Sequence, residues 1–166
     1  GSDTLEVEYR VGPIDISDGK GKEVISHFAT DLDSGDVWKS DVNGMQIDER
    51  KRDTRATLWP GGPDYFNQTD KVAGNYFAAN TQASISDASS GRGLTVLIDR
   101  SEGATSMQSG NLELMVHRRL AHGCRWGMCE NNPDLGGAME KAGLNDVLGA
   151  EVVIKHWLSV DTEEPK

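Results

Sequence analysis

The stretch Gly110–Glu130, GNLELMVHRRLAHGCRWGMCE, opens as a strict alternation that puts Leu112, Leu114 and Val116 on one side. Side chains alternate across a strand, so this period demands a sheet with one buried face. The same period recurs along the chain. TLEVEYRV sets Leu5, Val7, Tyr9 and Val11 against Glu6, Glu8 and Arg10, the pattern of a half-buried antiparallel strand. EVISHFATDL and GMQIDER read as further strands, the latter with Met45 and Ile47 facing inward. VAGNYFAANTQASISD runs extended, with Phe77, Ala79, Thr81, Ala83 and Ile85 on one face. LTVLIDR has apolar residues on both faces and reads as a central strand, and EVVIKHWLSV supplies the last one.

Turns separate these runs. Gly-Pro at 12–13, ISDGKGK, DSGD, Gly61-Gly62-Pro63 and SSGRG are breaker clusters, and 19 glycines suit a chain with many tight turns. Only PDLGGAMEKAGLNDVLG has helical spacing, through Leu135, Met139 and Ala142. The expected class is therefore all-β, an antiparallel β-sandwich with one short helix near the C-terminus. With Gly1-Ser2 set aside as a cloning scar, residues 3–166 are expected to form a single domain.

Composition excludes some functions. A net charge of −10 with scattered basic residues does not build the Lys/Arg face that nucleic acid requires. The one basic run, ERKRDTR, carries its own acids and reads as a solvated edge strand. No apolar run approaches the roughly 18 residues of a membrane helix.

Few residues point to chemistry. His122, Cys124 and Cys129 form an H-x-C-x4-C cluster. Zinc there needs a further ligand, from His117, His27 or an acid; a Cys124–Cys129 disulfide, or bonds to cysteines outside this chain, suits a secretory protein, and two free thiols suit a cytosolic one. Asn67-Gln68-Thr69 is a glycosylation sequon. His156 sits on an apolar face, where a hydrogen-bonded core histidine is expected. Trp38, Trp59 and Trp126 would offer a sugar platform only if exposed, whereas Trp157 is expected in the core. Phosphate loops, dinucleotide fingerprints and Gly-x-Ser-x-Gly elbows are missing. Arg118 continues the inward face of its strand, so the sequence predicts a buried guanidinium paired with Asp99 or Glu113.

The blocks GPIDISDGKGKEV, SDVNGMQ, VAGNYFAANTQASISD and LTVLIDRSEGATSMQSGNLELMVHRRL occur in an order that resembles the C-terminal β-rich region of lysosomal-type α-mannosidases, glycoside hydrolase family 38. The resemblance runs from about residue 11 to residue 130 and implies a fragment of a much longer enzyme. In that family an N-terminal domain carries the catalytic aspartate and a zinc ion, and terminal α-mannose is removed from N-glycans with retention of configuration. The resemblance thus implies no catalytic residue, no cofactor and no metal in this chain. Its partners would be the catalytic domain and, in the whole protein, a mannose-containing glycan, in a lysosome or vacuole.

By the same resemblance Arg118, Arg119, Arg125, Asp41 and Asn43 are placed at the substrate or domain interface. Two segments depart from the family. AHGCRWGMCE lacks the two acids expected after Arg-Arg-Leu, and VWKSDVNG has Trp38-Lys39 where relatives have an aromatic pair. If those segments line the substrate cleft, the departures imply altered specificity or weakened activity in the parent. A free-standing carbohydrate-binding or protein-interaction module is the rival reading.

Overall fold

The computed structural model describes residues 4–54, 70–120 and 149–162, with side chains through 160. Ten strands lie within them: β1 Thr4–Val11, β2 Lys22–Ala29, β3 Val37–Val42, β4 Gln46–Lys51, β5 Phe77–Ala79, β6 Gln82–Asp87, β7 Arg92–Ile98, β8 Glu102–Thr105, β9 Asn111–Arg119 and β10 Val152–Thr162. A short 3-10 turn spans Ala73–Asn75. One sheet has the order β1-β10-β7-β6-β3-β4 and the other β2-β9-β8-β5. The registered pairs are antiparallel, as the all-β reading expects. The helical run at 133–149 falls almost wholly outside the described residues.

Contacts divide the chain into two compact units, the first of Gly1–Val7, His27–Leu114 and Lys155–Lys166, the second of Glu8–Ser26 and Met115–Ile154. In the first, the two sheets enclose one apolar core. Trp38, Ala83, Ile85, Leu94, Val96 and Ile98 come from the six-stranded sheet, and Ala79, Ala104, Leu112 and Leu114 from the four-stranded one. Each large member buried there contributes about 1.5–3 kcal/mol. Trp38 meets Phe77 edge to face at 5.9 Å, and Arg50 lies 4.9 Å over the same ring. The buried Trp38 is thereby removed from the sugar-platform candidates. Trp157 is only half-buried and donates from Nε1 to Glu6 at 3.0 Å.

Two sequence expectations change here. Met45 and Ile47 do not face inward: Met45 is 88% exposed and Ile47 47%. The strand that carries core residues is β3, and Asn43-Gly44 turns it into β4. Both turn residues have positive φ, 51° and 67°, and Met45 N–H closes the turn on Val42 O at 2.9 Å. β4, at the sheet edge, is the charged strand that ERKRDTR foreshadowed. The extended run from Phe77 to Asp87 is two strands rather than one. Phe77–Ala79 joins the four-stranded sheet and Gln82–Asp87 the six-stranded sheet, with the crossing at Asn80-Thr81.

Candidate functional site

That crossing is where Asp41 acts. Its Oδ1 accepts the backbone N–H groups of Asn80 and Thr81, both at 2.8 Å, and of Gln82 at 3.0 Å. Its Oδ2 accepts Gly44 N–H at 2.7 Å. The carboxylate therefore ties the β3–β4 turn to the corner at which the chain changes sheets. Asp41 is 1% exposed, and burial alone would raise its pKa. Four amide donors outweigh that and hold it down to about 2. Asn43 sits exposed at the turn apex, its own N–H on Asn80 Oδ1 at 3.2 Å. Asp41 and Asn43 thus share one hairpin of the first unit. Lys39 is exposed on β3, between Glu49 and Ser84 in register.

The two arginines lie in the second unit, and their roles are the reverse of the sequence expectation. Along β9, Val116 is buried but the next buried residue is Arg119, so the alternation slips by one position. Arg118 points to solvent and pairs through Nε with Glu23 at 3.0 Å. Its anticipated partners are occupied elsewhere. Asp99 receives two hydrogen bonds from Arg100, which hold its carboxyl below the usual carboxylate range. Glu113 accepts Tyr76 O–H at 3.0 Å and stands 4.0 Å from His27 Nε2. Arg119 is the buried guanidinium, 5% exposed, with Nη1 donating to Ile14 O at 2.6 Å. Gly149, at φ +88°, passes so close that a Cβ there would stand 3.0 Å from Arg119 Cζ and Nη1. A bare backbone makes room for the planar group, and a carbonyl offsets its desolvation. His117 Nε2 donates to Ala150 O at 3.0 Å beside it.

The core also holds a pair that only half-showed in the sequence. His156 is fully buried, as expected of a core histidine, with Nε2 at 3.0 and 3.1 Å from the two oxygens of Glu102. Glu102 gave no sequence signal. It opens a four-residue strand, EGAT, that looks like a continuation of the preceding turn. Asn67, Cys124, Arg125 and Cys129, together with His122, Trp59 and Trp126, lie outside the described residues.

Among the described residues no group of three or more His, Cys, Asp or Glu side chains converges to hold a metal ion. The carboxylates of Asp41 and Asp87 are committed to backbone and hydroxyl donors. Asp87, held well below the usual carboxylate range, accepts from the hydroxyls and N–H groups of Ser89 and Ser90. Such an arrangement fixes turns and corners.

Residues 1–134 match the family "Glycosyl hydrolases family 38 C-terminal domain". The chain belongs to this family. Lysosomal alpha-mannosidase of Cavia porcellus is 42% identical over 158 residues, 95% of this chain and 14% of that protein. The Homo sapiens lysosomal alpha-mannosidase is 51% identical over 116 residues, 70% of this chain and 11% of the relative. The Dictyostelium discoideum protein of the same name is 39% identical over 118 residues, 71% of this chain and 11% of the relative. This family 38 C-terminal domain therefore spans 14% or less of the length of these three relatives. Its all-β fold agrees with the resemblance read from the sequence blocks.

Proposed function

We propose that the chain is a single, non-catalytic β-sandwich domain of an α-mannosidase that removes terminal α-mannose from N-glycans. It packs on the catalytic domain of the same polypeptide and helps form one wall of the cleft. Nucleophile and zinc belong to polypeptide outside this chain, and the working compartment is a lysosome or vacuole. The observation that carries this reading is the family match over residues 1–134, alongside relatives named lysosomal alpha-mannosidase. The use of Asp41, Asp87 and Glu102 as structural acceptors supports it, since each is enclosed by donors of its own fold.

In this reading Arg119 positions the end of β9 from beneath, whereas Arg118 is on the surface. Asp41 sets the hairpin that displays Asn43. The test is turnover of an aryl α-mannoside by the 166-residue chain and by the intact protein from which it comes. The intact protein should hydrolyse the substrate and the isolated chain should not. Turnover by the isolated chain would overturn the non-catalytic role, and an inert intact protein would overturn the assignment to an active mannosidase. The rival binding-module reading loses Trp38 as a platform, because that indole is buried.

A further inference from the structure

The apolar interior of the first unit runs out to its surface along β10 and β1. Leu94 and Val96 of β7 are buried, and across the ladder they oppose Val160 and Leu158 of β10. Leu158 still packs against the core, but Val160 is 70% exposed. β1 lies beyond β10 at the edge of the sheet. Glu6 on β1 reaches Lys155 Nζ at 2.7 Å and Trp157 Nε1 at 3.0 Å, which places it on the face away from His156. Its neighbour Leu5 is on the opposite, core-side face by the alternation of the strand. Leu5 is 62% exposed.

Among the described residues, Leu5 and Val160 thus continue the plane of the core without cover. The sheet that carries them has six strands, the sheet packed on it four, and β1 contributes no residue to the core cluster. Single exposed apolar side chains need no explanation. Here two lie on one core-facing surface, at an edge where free-standing sheets place charge or proline.

We propose that this overhang of Leu5 and Val160 is a docking face, and that its occupant is an apolar stretch of the polypeptide flanking this domain in the longer protein. The proposal rests on the domain reading given above. A relative such as the Cavia porcellus protein is about seven times as long as the part this chain matches, so neighbouring polypeptide is at hand. A second copy fits less well, because two chains of net charge −10 repel each other.

The experiment places Leu5→Lys and Val160→Lys together in the 166-residue chain and in the full-length protein, with Val72→Lys, at a 60% exposed position elsewhere, as a surface control. In the short chain the double variant should melt where the wild type does, since both side chains already face water. In the full-length protein it should melt several degrees lower, while Val72→Lys changes neither. Equal melting of the full-length double variant and wild type would overturn the proposal. So would unfolding of the short double variant, which would make both residues part of this chain's own core. A wild-type short chain that sediments as a dimer, and a double variant that sediments as a monomer, would overturn it in favour of self-association. Aryl α-mannoside turnover by the full-length wild type tests the underlying mannosidase reading separately.

Discussion

At the scale of single residues, Asp41 and the two arginines carry the sharpest consequences. Asp41 is ionised and fully bonded in the fold, with its pKa lowered from 3.8 to about 2. A depressed carboxylate stabilises above its unfolded pKa, and the contribution disappears as pH falls through the folded value. Asp41 should therefore supply about 2 kcal/mol above pH ~4 and lose it between about pH 4 and 2. Asp41→Asn should remove that dependence as well as lower stability, which urea titrations at pH 6 and pH 3 would read. Equal pH dependence in both proteins would refute the clamp. The arginines should differ in the opposite sense to what β9's alternation suggests. Arg119→Leu should cost about 3 kcal/mol or more, because Ile14 O loses a buried donor and the pocket beside Gly149 is misfilled. Arg118→Ala should change stability by no more than about 1 kcal/mol, as an exposed ion pair does. Chemical denaturation of the two variants decides between them.

At the scale of elements, turns set which strands meet. Gly110 precedes β9 at φ +78°, and a Cβ there would stand 2.7 Å from Leu32 O and 2.8 Å from Thr30 O. Thr30 N–H and Oγ1–H both donate to Gly110 O, at 2.9 and 2.7 Å, so the segment has no freedom to retreat. Gly110→Ala should destabilise by more than about 1 kcal/mol, through both the clash and the left-handed backbone, and a shifted thermal midpoint would show it. The β8–β10 link is a buried Glu102–His156 pair, and taking away one partner leaves the other uncompensated. Glu102→Leu and His156→Leu should each cost about 3–5 kcal/mol, whereas the double variant should recover part of the loss. Additive single effects in that cycle would argue against direct coupling.

At the scale of the whole molecule, net charge and strand count matter more than any one contact. A chain of −10 charge resists self-association but repels itself in the compact state. Its melting temperature should rise as salt is raised from about 10 to 150 mM, where the Debye length falls to about 8 Å. A melting point that falls with salt would mean that attractive ion pairs such as Arg10–Glu151 and Lys155–Glu6 outweigh that repulsion. Six strands in one sheet and four in the other leave Leu5 and Val160 exposed, the overhang proposed above as a docking face.

The sequence by itself determined that the chain is β-rich, where its main strands lie and which family its blocks resemble. A period of two is a local property, and Leu112, Leu114, Val116, Leu94, Val96 and Ile98 are all buried as it predicts. It also placed His156 in the core. Tertiary structure alone decided which arginine is buried, because one slip of the alternation after Val116 exchanges the faces of Arg118 and Arg119. Likewise it divided Phe77–Asp87 between two sheets. The alternation of that run continues through Asn80-Thr81 and so hides the change of sheet, and the corner is held by a carboxylate 39 to 41 positions away. Partners so distant in sequence leave no periodic trace, since hydrogen bonds and burial depend on what folding brings alongside.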